Sequence, residues 1–230
     1  MATQYSNKPI VTNGLVYALD FGNQKSYVSG SSSARSLLFN PLTASVSGSP
    51  TFTSTGLLNL SSTSNVLTNK TFSELTINNS YTVSTLVQVK GGGVFWNQSL
   101  GPSDDASYLN TTSTAVGHLV TDSAYLQGSD FRRGFSADLT QLTHITYRNY
   151  SGSFDVFING VPVNTTGDYG GMLRGSSLNL NGRNNGDSFW SGSIGNFYIY
   201  NKALTSDEIY SNYLLTAQRF GLRTTPKPYT

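Results

Sequence analysis

Short runs of alternating apolar and polar residues, cut at close intervals by Gly, Asn, Ser and Asp, constrain this chain more than any other feature. Alternation with period two sends successive side chains to opposite faces, so each run predicts a strand with one face in a core. In GLVYALDF (Gly14–Phe21), Leu15, Tyr17, Leu19 and Phe21 share a face; in YTVSTLVQVK (Tyr81–Lys90), Tyr81, Val83, Val87 and Val89 do. Gly93–Gln98, His118–Val120, Ala124–Gln127, Gln141–Tyr150, Ser177–Asn181 and Phe189–Tyr200 are further predicted strands. Ser153–Asn159 runs into Asn159-Gly160, the pair best suited to a type I′ hairpin turn. Val161–Val163 should then return as a short strand, at an edge because Pro162 has no N–H to give a ladder. Turn signals at this spacing predict an all-β, antiparallel two-sheet sandwich.

One helix interrupts the pattern. Thr205-Ser206-Asp207-Glu208 is a capping box, in which Thr205 accepts from the Glu208 amide and Glu208 reaches back. Ile209, Tyr213, Leu214 and Ala217 follow at helical spacing, and Gly221 can supply the left-handed stop. We expect an N-terminal arm over 1–13, one domain over 14–222 and a tail over 223–230, with the Ser-rich stretch Ser29–Ser36 a loop inside the domain.

Charged residues make up only 11% of the chain, against roughly 25% in an average soluble protein. Ser, Thr and Asn take their place, alongside 14 Tyr, 12 Phe and 2 Trp. Such a surface hydrogen-bonds without charge, which suits exposure, packing against copies of the same chain, or contact with sugar hydroxyls. The net charge of +2 comes from scattered Lys and Arg, not the clusters of a nucleic-acid binder, so no nucleic-acid partner is expected. No apolar stretch reaches membrane-spanning length, and no basic start leads into an apolar run, so neither a membrane partner nor a signal peptide is expected. Without cysteine, the fold needs no disulfide or thiolate metal site.

Leu178–Ile209 (LNLNGRNNGDSFWSGSIGNFYIYNKALTSDEI) resembles the laminin-G-like branch of the concanavalin A-like jelly rolls. A strand ends in Gly182-Arg183, a loop leads to Phe189-Trp190 and Gly192-Ser193-Ile194, and a strand ends at Asn201 before Ala203-Leu204-Thr205 opens a helix. His144–Val163 is similar to the family hairpin that ends in Asn-Gly, and YTVSTLVQV to its earlier central strand. NGLVYALDFGNQKSY resembles the opening of such domains in bacteriophage and bacterial surface proteins, although SSSARSLLFN stands where the family often has Trp-x-Asp-x-Ser-Gly. The resemblance covers about residues 13 to 222. It implies a concanavalin A-like jelly roll with one short C-terminal helix. It also implies a non-enzymatic virion structural or surface protein (capsid decoration, fibre-associated or tail-accessory) that is made in the host cytoplasm. Its partners would be other virion proteins, copies of itself as a homo-oligomer, and host-surface glycans. A bacterial cell-surface lectin-like module is the alternative.

Some relatives of this fold cleave polysaccharides, which needs two carboxylates flanking the scissile bond. The Glu-x-Asp-x-x-Glu pattern of the family enzymes is missing. Glu74 and Glu208 are the only glutamates, Glu208 is committed to the helix cap, and Asp104-Asp105 are expected in a loop. No facing acid pair is therefore expected. His118 and His144 fall inside strands, with no Gly-x-Ser-x-Gly elbow to make either a triad base. Calcium could be met by Asn184-Asn185-Gly186-Asp187 or Asp104-Asp105, but either reads equally as a turn, and no cofactor is expected. For sugar contact the candidates are Trp96, Asn97, Tyr108, Asn110, Arg183, Asn184, Asn185, Asp187 and Trp190: aromatic platforms beside amides and charged groups. Trp96 and Trp190 read equally as core residues.

Overall fold

The computed structural model describes residues 9–38, 42–61, 63–68, 80–91, 93–101, 104–111, 116–122, 130–150, 153–166, 177–181 and 190–224. The first strands are β1 (Leu15–Asp20), β2 (Ser33–Arg35), β3 (Thr43–Ser47), β4 (Thr51–Phe52), β5 (Leu58–Leu60) and β6 (Asn65–Thr68). Then come β7 (Ser80–Gly91), β8 (Gly93–Gly101), β9 (Asp104–Thr111), β10 (Val116–Asp122) and β11 (Asp130–Ser136). They are followed by β12 (Thr143–Tyr150), β13 (Ser153–Ile158), β14 (Val161–Val163), β15 (Thr165–Thr166), β16 (Ser177–Leu180), β17 (Ser191–Tyr200) and helix α1 (Ser206–Phe220).

The strands pair antiparallel into two sheets. One of eight strands runs β14-β13-β12-β7-β17-β5-β4, with β1 also on β17; one of nine runs β15-β11-β10-β9-β8-β16-β6-β3-β2. Since β7 takes one whole edge of β17, β5 and β1 share the other, β5 along Gly192–Ile194 and β1 along Asn196–Tyr200. The handover falls at Gly195, where the β17–β7 register shifts and the Gly195 carbonyl accepts from Phe21 N–H at 3.0 Å.

Inward rows of both sheets form the main core: Tyr17, Leu19, Phe21, Tyr81, Val83, Val87, Val89, Ile145, Tyr147, Ile194, Phe197 and Ile199 from the first, with Val46, Val66, Leu178 and Leu180 from the second. The face predicted for β7 is thus the one observed. In β1 a bulge between Leu15 and Tyr17 changes the phase. Tyr17, Leu19 and Phe21 go inward as expected, but Leu15 packs on the opposite side of the sheet. An extra residue in one strand reverses every later side chain relative to the earlier ones.

Asn159 and Gly160 take φ of 51° and 76°, the two positive angles of a type I′ turn, and β14 is the edge strand its Pro162 predicts. Glu208 N–H donates to Thr205 Oγ1 at 3.2 Å and Thr205 N–H to Glu208 Oε2 at 2.8 Å, closing the capping box; Gly221 ends the helix at φ 68°. Helix α1 lies on the outer face of the eight-stranded sheet, over a second cluster of Ala18, Phe157, Tyr198, Tyr200, Leu204 and Ile209. Arg219 in its last turn pairs with buried Asp20 at the end of β1.

Two expectations change. Asp104 and Asp105 open β9 instead of lying in a loop, and Ser33–Arg35 forms β2 within the Ser-rich stretch. Both segments are short and polar, so strand pairing with β8 and β3 makes them extended where their own pattern is weak. The strand expected at Ala124–Gln127 lies outside the described residues.

Candidate functional face

Trp190 is fully buried, and its backbone N–H donates to Asn181 Oδ1 at 2.6 Å. Its indole lies over Gly192, where a Cβ would come within 2.4 Å of the ring and 2.1 Å of the Gln88 carbonyl. Of the two roles open to Trp190, packing is the one displayed, and the ring has no free face for a sugar. The glycine of Gly192-Ser193-Ile194 is there to let that ring in.

Asn181 is a hub. Its Nδ2 donates to Ser61 O at 2.6 Å and to Ser64 O, its Oδ1 takes the Trp190 amide, and its own φ is 92°. Arg183, Asn184, Asn185 and Asp187 lie outside the described residues, but the two ends of their segment, Asn181 and Trp190, are joined directly.

The register of the nine-stranded sheet sorts the remaining candidates, because residues directly opposite in antiparallel strands share a face. Val66, Leu180, Trp96, Leu109 and Leu119 form one row. Val66 and Leu180 belong to the core, so Trp96 occupies a position on the core-facing row. The next row, Asn179–Asn97–Tyr108–Val120–Arg132, is on the other face. Asn110 sits two residues beyond Tyr108 and opposite His118, so it joins that face. At about 4.8 Å per strand, Asn179 to Tyr108 spans roughly 10 Å. The sheet therefore gathers Asn97, Tyr108 and Asn110 and separates both tryptophans from them. Asn179, His118 and Arg132 were not legible as members of this face, because membership depends on pairing between strands far apart in sequence.

At the positions of Asn97, Tyr108 and Asn110 the residue types can donate to and accept from hydroxyl groups, with Val120 and Arg132 further along the same row and Asn179 at its other end buried. The same register sets Asp122 directly opposite Asp130 on neighbouring strands. Among the described residues no group of three or more His, Cys, Asp or Glu gathers to hold a metal ion.

A serine–histidine contact exists elsewhere: Ser84 Oγ lies 2.9 Å from His144 Nε2, and Thr146 Oγ1 donates to Ser84 at 3.1 Å. The trio is sealed between the eight-stranded sheet and α1, and burial drives the His144 pKa down to about 3. A triad base needs an acid on its second nitrogen and a route to substrate; His144 Nδ1 has no partner and no exposure. Partial burial works to raise the Glu208 pKa, but hydrogen bonds from Lys202 and Thr205, with the Lys202 charge, outweigh it and hold the carboxyl low. That is the wrong direction for a general acid. Glu74 lies outside the described residues.

The profile of the Laminin_G_3 family, described as the concanavalin A-like lectin/glucanases superfamily, matches residues 60–210. No curated protein matches by sequence. Among solved structures, the receptor-binding domain of botulinum neurotoxin type G superposes with a TM-score of 0.67 at 12% identity, over 89% of this chain and 52% of that one. A botulinum neurotoxin type C structure, titled for cell entry that depends on two ganglioside molecules, gives 0.66 at 13%, over 89% and 51%. The Trypanosoma rangeli sialidase with the inhibitor DANA gives 0.64 at 18%, over 90% and 34%. The chain thus spans about half the length of the toxin chains it resembles. At these identities the likeness is one of fold: a lectin-like antiparallel sandwich.

Proposed function

The chain belongs to the concanavalin A-like lectin/glucanases superfamily, and from that premise we propose that it is a non-enzymatic surface protein of a bacteriophage particle. In this reading it is a capsid decoration, fibre-associated or tail-accessory subunit that touches host glycans weakly through the Asn97–Tyr108–Asn110 face. The observation that carries the binding half is the register itself: the neutral hydrogen-bonding residues Asn97, Tyr108 and Asn110 of two adjacent strands share the face opposite the row of Val66 and Leu180. Fold neighbours add support, since one is described with gangliosides and another with a sialidase inhibitor. The virion half draws on the resemblance of NGLVYALDFGNQKSY to phage and bacterial surface domains, and on the low-charge, Ser/Thr/Asn-rich composition. Weak single contacts gain strength when many copies engage one surface, because linked sites raise the effective concentration.

A glycan array probed with the protein displayed in many copies tests the binding half. Signal should fall about tenfold or more on combining Asn97→Ala with Tyr108→Ala, while thermal stability is retained. No signal on any glycan at high copy number would end that half. The virion half is tested by removing Met1–Lys8 or Thr225–Thr230 and scoring incorporation into particles. Recovery with the cell wall of a bacterium would instead favour a bacterial surface lectin.

One register position favours a second reading. Asp122 lies opposite Asp130 in the β10–β11 register, so polysaccharide cleavage lost in Asp122→Asn would make the protein a glycanase.

A further inference from the structure

The layer beneath helix α1 differs in kind from the core between the sheets. Its sheet side carries Thr82, Ser84, His144, Thr146 and Asn196, and its helix side Asn212 and Thr216, all buried. The apolar residues there form a small cluster of their own, separate from the main core. Strand register puts His144, Leu86 and Asn196 in one cross-strand row under the helix. Both polar ends of that row are incompletely satisfied: His144 Nδ1 and Asn196 Oδ1 are buried with no hydrogen-bond partner among the described residues. A buried polar atom left unpaired weakens whatever buries it, and here that is the docked helix.

Every element around the His144 ring contributes neutral groups. From β7 comes the Ser84 hydroxyl at 2.9 Å, and from β12 Thr146, bonded to the same hydroxyl. The Asn159–Gly160 turn bonds the His144 backbone. From α1 comes the Tyr213 ring at 6.0 Å, with the Tyr210 ring tilted beside it at 5.9 Å. The charged side chains of the layer are already matched to one another, Arg148 with Asp155, Lys202 with Glu208 and Arg219 with Asp20. Among the described residues, no anion faces the ring to meet an imidazolium formed under the helix.

The helix also holds both flanks of the domain. Val11 N–H donates to Asn212 Oδ1 at 2.9 Å, with Ile10 and Val11 packed on the small cluster. Tyr213 OH donates to the Arg223 carbonyl at 2.6 Å.

We propose that helix α1 is an acid-released latch: protonation of His144 lifts the helix from the sheet and frees the N-terminal segment held on Asn212, while the two-sheet sandwich stays folded. Burial holds the docked ring's pKa at about 3, and an uncovered ring returns to about 6.5. Between those values the released form binds the extra proton. Lowering the pH from 7.5 to 5.0 therefore raises the released-to-docked ratio about 30-fold. The sandwich survives because its core cluster contains no residue of α1.

Hydrogen exchange of the full chain at pH 7.5 and 5.0, corrected for intrinsic rates, reads this directly. Amides of Ile209–Phe220 and of Val11 should exchange about 30-fold faster at pH 5.0, while those of β7 and β12 hold. His144→Gln should abolish the difference, and His118→Gln, at the other histidine, should keep it. Loss of protection in α1 and β7 together, equal α1 protection at both pH values, or the same dependence in His144→Gln would each overturn the latch. If His144→Gln does not fold, the element-by-element comparison in the unaltered chain still decides.

Discussion

Replacing Asn181 should cost a large share of this protein's stability, because its buried side chain ties together backbone from separate parts of the chain. Its amide joins three separated segments: the Ser61 and Ser64 carbonyls in the turn before β6, and the Trp190 amide before β17. In Asn181→Ala, Ser61 O keeps the Ser64 amide at 3.1 Å, whereas Ser64 O and Trp190 N–H lose the bond that Asn181 makes to them. Two stranded buried groups at about 1–3 kcal/mol each sum to roughly 2–6 kcal/mol, and the Cβ at φ 92° is common to asparagine and alanine, so it adds nothing to this difference. Asn181→Gly loses the same bonds without the backbone strain, so it should be about 1–2 kcal/mol better than alanine. Asn181→Asp keeps an acceptor for Trp190 but turns a carboxylate oxygen on two carbonyls, and should be the worst of the three. Urea unfolding with a common slope measures all three. If alanine and glycine each cost less than about 1 kcal/mol, the hub is not holding these segments and the reasoning fails.

Three further expectations follow from local geometry. Gly192→Ala places a Cβ 2.1 Å from the Gln88 carbonyl and 2.4 Å from the Trp190 ring; it should unfold at a markedly lower urea midpoint, with altered Trp190 fluorescence. Thr205→Ala removes the capping acceptor and should cost about 1 kcal/mol, seen as earlier melting of helical ellipticity. In the same variant α1 should lose exchange protection before β12 does, since the cap holds only the helix.

Several features were legible because they are set by neighbours in sequence. The alternation in Tyr81–Lys90 names the inward face of β7, Asn159-Gly160 names its turn, Pro162 names an edge, and Thr205–Glu208 with Gly221 brackets the helix. In each case the deciding force acts within a few residues: side-chain parity, allowed backbone angles, or a cap closing on its own first turn. The reversed Leu15 escaped that logic, because a bulge is settled by how β1 meets β17 and not by β1 alone.

What the candidate face contains was decided only in three dimensions. Trp96 and Trp190 were chosen for their chemistry, yet position 96 pairs with core residue Leu180 and Trp190 is itself enclosed. Asn97, Tyr108 and Asn179 meet because β8, β9 and β16 are laid side by side. Local sequence determined the strongly alternating strands, the Asn159-Gly160 turn and the helix of this protein. Tertiary structure decided which residues share a face and which ring is sealed, because strand register and burial are long-range quantities, set by the packing of two sheets and fixed only when the whole chain closes.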